Sequence, residues 1–145
     1  MVITGREYCG HRNVSYTQSS EGMTVTVTPE FRPDVSDSDN YEYVWSYEVN
    51  LHSKFTVPVQ VMRRYWSIAD RSGFLLQIHG EGVGGKQPII EPYHSFSYTS
   101  HVMLRTSSGL MFGRYQLMLL EVERLVEIDI PMFSLEVPEM VYKAQ

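Results

Sequence analysis

The sequence predicts an all-β protein, an immunoglobulin-like or fibronectin type III-like β-sandwich of two antiparallel sheets with about seven strands. Three observations carry that expectation. Apolar residues recur at every second position in short runs, the period of a half-buried strand, and no stretch sustains a helical period over three turns. Turn-forming clusters such as Asp70-Arg71-Ser72-Gly73 and Thr106-Ser107-Ser108-Gly109 separate the runs. The runs also gather more large apolar side chains on one face than a lone sheet can hide. Each one fully buried contributes roughly 1.5–3 kcal/mol, so a second sheet must cover the first.

Residues 1–21 hold no sustained period and read as a flexible N-terminal arm. The folded domain is expected over 22–138, followed by a C-terminal tail over 139–145. A first strand is placed at 23–28, where Thr alternates with Met and Val. Residues 29–40, PEFRPDVSDSDN, carry two prolines and an acidic cluster and predict a loop. Tyr43, Trp45, Tyr47, Val49 and Leu51 form one odd-numbered face, a long strand. Val57, Val59 and Val61 keep that phase, whereas Met62, Trp66 and Ile68 fall on even positions; the slip predicts a β-bulge or a strand with two buried faces. Residues 70–73 turn the chain into a return strand from Phe74, which runs into a glycine-rich loop. Ile89 and Ile90 make a short edge segment, and alternation resumes around Phe96 and Tyr98. After a strand over 110–117, the last strand carries Val126, Ile128 and Ile130, then slips phase at Pro131-Met132. A proline has no ladder donor, so a bulge or a switch of sheet is expected there. Residues 117–125 contain helix formers but sit between two strands and read as a hairpin with an irregular tip.

Bulk properties narrow the function classes. The 145 residues suit one domain, and 43% hydrophobic content supports a core. A net charge of -5 supplies no general attraction to a phosphate backbone, so direct nucleic-acid binding is not expected. Cys9 is the single cysteine, which leaves no internal disulfide and fits a reducing compartment. No apolar run is long enough for a membrane span, so no membrane insertion is expected. The first residues lack the apolar centre of a secretory signal. The protein is therefore expected to be intracellular, in the cytoplasm or, in a eukaryote, the mitochondrial matrix.

The stretch HGEGVGGKQP, residues 79–88, raises the sharpest question. Gly80, Gly82 and Gly85 satisfy G-x-G-x-x-G, and 80–86 also spells G-x-x-x-x-G-K. A dinucleotide site needs those glycines to open a helix whose N-terminus holds the pyrophosphate. Pro88 and Pro92 exclude such a helix. Gln87 stands where a triphosphate loop needs Ser or Thr for magnesium. The glycines are expected instead to let the backbone cross between sheets with positive φ. Their amides, with Lys86 adding charge, offer an anion nest for a phosphate, a carboxylate or an acidic peptide.

No catalytic set is found. The histidines His11, His52, His79, His94 and His101 lack partners at metal-ligand spacing, and no metal site is expected. No nucleophile elbow occurs, and Glu121/Glu123 and Glu127/Asp129 read as solvated carboxylates. In Arg63-Arg64-Tyr65-Trp66, Arg64 and Trp66 share one face while Arg63 and Tyr65 share the other. Trp66 reads as core; Arg63 and Arg64 are candidates for a partner-binding surface, because arginine and aromatics dominate binding hot spots. Tyr98 reads as a corner tyrosine whose hydroxyl pins a loop.

Taken together, residues 23–138 resemble the ApaG domain family. The resemblance rests on Tyr43-Val44-Trp45 and Tyr47, Val59-Gln60, Arg64-Tyr65-Trp66-Ser67-Ile68, the glycine loop with Gln87-Pro88, Glu91-Pro92, Tyr98-Thr99-Ser100, Ser107-Ser108-Gly109, Gly113-Arg114-Tyr115 and the stretch from Ile130-Pro131 to Leu135. It implies a fibronectin type III-like sandwich, no cofactor and no established enzymatic activity. Stand-alone bacterial members are linked to cobalt and magnesium efflux. In eukaryotes similar domains act as protein-binding modules of F-box proteins and of a polymerase-delta-interacting protein; residues 98–101 and 107–109 look closer to the latter. The glycine loop is the family signature and has suggested pyrophosphate binding, which points to Gly80, Glu81, Gly82, Gly85, Lys86 and Gln87. Gly84 and Lys86 depart from the small apolar residues usual there, and the tip at 119–125 lacks the usual Gly or Asp turn. The function expected is a non-enzymatic protein-binding module, alone or as a subunit of a larger assembly. The alternative is a small-ligand protein of divalent-cation homeostasis that takes phosphate, pyrophosphate or a metal–phosphate complex.

Overall fold

The structure, a computed structural model, describes residues 14–138. The strands are β1 (Tyr16–Ser20), β2 (Met23–Phe31), β3 (Tyr43–Ser53), β4 (Val59–Asp70), β5 (Leu75–Glu81), β6 (Ile89–Ile90), β7 (Ser95–Leu104), β8 (Ser108–Leu119) and β9 (Arg124–Glu136). They form two antiparallel sheets, one of four strands in the order β1-β2-β3-β7 and one of five in which β5-β4-β8-β9 run side by side and β6 also pairs with β4. The β-sandwich expected from the alternation is what forms, with β1 and β2 lying against β9.

The layers are joined by inward faces that alternate as the strands require. Met23, Val25 and Val27 of β2, and Trp45, Val49 and Leu51 of β3, meet Tyr115 and Leu117 of β8 and Ile128, Phe133 and Leu135 of β9, all nearly inaccessible to solvent. Trp66 is core, as expected: its ring meets Tyr47 at 5.5 Å, Phe133 at 5.9 Å and Tyr115 at 6.5 Å. The indole of Trp45 donates to the carbonyl of Glu136 at 3.2 Å and ties the two sheets at one end.

Both phase slips are bulges. The β4–β8 register shifts between Val61 and Arg63, so Met62 is the extra residue. The β8–β9 register shifts between Met111 and Gly113, which sets Pro131 and Met132 opposite Phe112 and keeps Pro131 within the five-stranded sheet. Each bulge moves the apolar set to the other parity without turning it to solvent. Gly113 lies beside the second: a Cβ there would stand 2.0 Å from the carbonyl of Tyr65.

Three expectations change. Residues 16–20, placed in the arm, form β1 against β2; residues 1–13 and the tail 139–145 lie outside the described residues. The loop expected from residue 29 starts later, because β2 continues to Phe31 with Pro29 opposite Tyr47. Arg32 donates its N–H to Val44, so odd residues of β2 turn their amides away from β3. The donor that Pro29 lacks thus falls on the side where β1, whose last partner is Val27, has ended. Finally, the glycine loop does not carry the chain between sheets. β5 and β6 pair with the same side of β4, at 63–69 and at 59–60, so the loop is an excursion from one sheet edge. The crossing comes later, at 91–94, where His94 N–H closes a turn on Glu91 and Tyr93 takes φ 64°.

Candidate functional site

The glycine loop is built on the Met62 bulge. The carbonyl of Met62 accepts the N–H of Gly82 at 2.8 Å and the side-chain amide of Gln87 at 3.1 Å. The Gln60 side chain donates to the carbonyl of Gln87 at 3.0 Å, and Val61 N–H to that of Pro88 at 3.0 Å. Above this neck, Val83 and Lys86 exchange two backbone hydrogen bonds of 2.7 and 2.9 Å around Gly84 and Gly85, both at positive φ. This is the two-residue hairpin that needs left-handed residues at both central positions, which explains Gly-Gly. Val83 is fully buried and plugs the core beneath the turn.

Each glycine has its own reason. A Cβ on Gly82, at φ 62°, would lie 1.8 Å from the carbonyl oxygen of Lys86. Gly84 and Gly85 meet nothing, so only their φ demands glycine. Gly80 makes room for a guanidinium: a Cβ there would touch Nη1 and Nη2 of Arg64 at 3.0 Å. Arg64 Nη1 donates to the carbonyls of Glu81 at 3.1 Å and Gly82 at 3.0 Å. The amides of Gly82, Val83 and Lys86 are therefore used inside the loop, and those of Gly84 and Gly85 are the ones left to a ligand. The ammonium of Lys86 and the carboxylate of Glu81 are exposed. No helix follows the loop, as the prolines require.

Arg63 and Arg64 part company. The Met62 bulge turns Arg64, Trp66 and Ile68 inward, so Arg64 is half-buried beneath the loop and not on the outer face with Arg63. On that outer face Tyr65 gathers three neighbours. Arg114 stacks over its ring at 4.2 Å, Arg63 lies 5.9 Å from the ring centre, and the His79 ring is 6.3 Å away. Arg63 Nη2 also approaches His79 Nδ1 at 3.4 Å, and Arg114 meets Glu127 at 3.4 Å. Leu75, Leu110 and Met132 lie exposed on the same face. Sequence reasoning missed Arg114 and His79, because the register that brings them to Tyr65 is not local; a cation or aromatic on neighbouring outward positions was the available signal.

Tyr98 is not a corner tyrosine. It points inward from the middle of β7, and its hydroxyl hydrogen-bonds that of Tyr115 on the opposite sheet. Burial pushes both phenols above the ordinary tyrosine range, and Tyr47 likewise. Among the described residues, no group of three or more His, Cys, Asp or Glu converges, and no helix is long and apolar enough to cross a membrane. His79 lies on the outer face while His94 sits in the 91–94 turn, its Nδ1 3.0 Å from the Pro92 carbonyl.

The chain is similar to known proteins in sequence and in fold. The ApaG domain (DUF525) matches residues 33–119. A Protein ApaG of Brucella anthropi is 42% identical over 124 residues, covering 86% of this chain and 95% of its own. A Protein ApaG of Rhodopseudomonas palustris is 43% identical over the same length. The crystal structure of the putative ApaA protein from Bordetella pertussis superposes with a TM-score of 0.77 at 34% identity, over 86% of this chain and 98% of that one. The C-terminal domain of wzt, at 10% identity and a TM-score of 0.52, shares the fold alone. With the family match spanning more than half the sequence and these relatives aligned nearly end to end, the chain belongs to the ApaG domain family.

Proposed function

We propose that the chain is a non-enzymatic module that binds a protein partner through the outer face of its five-stranded sheet, beside the glycine loop. The observation that carries this reading is the Arg114–Tyr65–Arg63 stack with exposed leucines next to it. Arginine over an aromatic ring, rimmed by apolar side chains, is the chemistry of binding hot spots. The rigid sheet beneath holds it in place at little entropic cost. Association of the protein with whatever co-purifies with it tests the reading. Tyr65→Ala with Arg114→Ala should abolish the association while the melting temperature stays within a few degrees; an undiminished complex overturns it.

A second reading is favoured by one observation. The amides of Gly84 and Gly85 have no carbonyl partner among the described residues and stand beside exposed Lys86. An anion such as pyrophosphate, free or as a metal complex, would sit there and give the domain its route into divalent-cation homeostasis. Titration with pyrophosphate, ATP and Co²⁺ should move the amide resonances of 84–86; no shift at millimolar ligand removes this reading.

A further inference from the structure

One long side of the sandwich is open. Among the described residues, β5 and β7 are the edge strands of their sheets on that side, and each is paired along one flank alone. Neither carries the Lys or Pro that usually blunts an edge. On β5, Asp70 N–H donates to Phe74 and Gly82 N–H to Met62, so the even residues bond to β4. Leu75, Gln77, His79 and Glu81 therefore turn their amides and carbonyls outward from the edge. Leu76 and Ile78 share the inward face with Ile68 and Trp66, yet remain 44% and 41% exposed because no strand among the described residues closes that side. A cleft of about 290 Å³ follows, lined by Trp66, Ile68, Leu76, Ile78, Val102 and Arg64.

Arg64 sets the chemistry of what fits. Because Gly80 has no side chain, the guanidinium crosses over it toward the free edge. Nη1 is occupied by the loop carbonyls, whereas among the described residues Nε and Nη2 donate to no protein atom and no carboxylate pairs with Arg64. A half-buried cation without a carboxylate partner, in a cleft whose other polar groups are the uncharged Tyr47 and Ser100 and the imidazole of His101, calls for an anion.

We propose that the free edge of β5 accepts an extended peptide strand whose inward side chains are a carboxylate opposite Gly80 and apolar residues opposite Ile78 and Leu76. Run antiparallel to β5, its pattern is acid-x-apolar-x-apolar; run parallel, it is the reverse. The main chain supplies the ladder hydrogen bonds, and alternate side chains supply the selectivity. A second copy of β5 fits less well: paired about Ile78, it sets Leu76 opposite Gly80 and brings no carboxylate to Arg64. The proposal shares with the protein-binding reading its choice of a polypeptide ligand but uses a different surface. The outer-face variants and the peptide experiment therefore fail separately.

The probes are two synthetic peptides, Thr-Glu-Thr-Val-Thr-Ile-Thr and its reverse, each with a Gln-for-Glu control, titrated into isotope-labelled full-length protein. One Glu peptide should shift the amide resonances of Leu75, Gln77, His79 and Glu81 and slow their hydrogen exchange. Its Gln control should bind about tenfold more weakly, and Ile78→Lys, at an exposed site, should abolish binding without unfolding the protein. Absence of shifts with either Glu peptide at millimolar concentration, or equal binding of Glu and Gln peptides, overturns the proposal. So does self-association of the free protein that Ile78→Lys abolishes, since a second copy would then occupy the edge.

Discussion

The hydroxyls of Tyr98 and Tyr115 hydrogen-bond each other between the two sheets, each the other's polar partner within the core. Replacing one alone strands the second. Tyr98→Phe should cost about 1–3 kcal/mol by leaving the fully buried Tyr115 hydroxyl unsatisfied, while Tyr98→Phe with Tyr115→Phe should cost less than the two single changes added. Denaturant midpoints of the four proteins close the cycle; additive losses would contradict the pairing.

The same pair fixes the alkaline limb of stability. Burial raises both phenols above their unfolded value near 10. The unfolded chain therefore loses these protons first as pH rises. Stability from this source is complete below about pH 10 and declines above it. The decline should be shallower in the double Phe variant, measured by urea unfolding from pH 8 to 11.

Gly82 and Gly84 separate steric from conformational demand. Both have positive φ, but an added Cβ collides with the Lys86 carbonyl at Gly82 and meets nothing at Gly84. Gly84→Ala should lose about 1–2 kcal/mol, the strain of a left-handed L-residue. Gly82→Ala should lose more, roughly 2–4 kcal/mol, and raise solvent exposure of Val83. Thermal melts rank the two; equal losses would show that the loop shifts to absorb the clash.

Arg64 holds the loop from below. Arg64→Met keeps the stem and removes the fork that bonds Glu81 and Gly82. Hydrogen exchange at Gly82, Val83 and Lys86 should quicken, with a loss of about 1–2 kcal/mol in global stability. Unchanged exchange would assign the loop's order to Gln87 and the bulge alone.

The tip of the last hairpin should be improvable. Glu123 takes φ 50° in the turn between β8 and β9, a conformation glycine adopts without strain. Glu123→Gly should raise stability by roughly 0.5–1 kcal/mol, the relieved strain less the entropy glycine adds to the unfolded chain. A lowered melting temperature would indicate that the Glu123 side chain makes compensating contacts.

The layer architecture and the two phase slips were legible in the chain itself, whereas the strand pairing resolved both slips as bulges. Alternation has a period of two residues, so the inward faces of 43–51, 59–68 and 126–135, and the slips at Met62 and Pro131, are local properties of the chain. Sequence reasoning missed β1, because after Tyr16 the inward positions are Gln18 and Ser20, so no apolar alternation marks the strand. Pro88 and Pro92 excluded a cofactor helix, again locally. Strand pairing alone shows that the loop returns to the same edge of β4, that the Arg64 guanidinium crosses Gly80, and that Arg114 reaches Tyr65. Those facts depend on which strands become neighbours and in what register, and register is set by long-range burial of whole faces, which no short window of sequence contains.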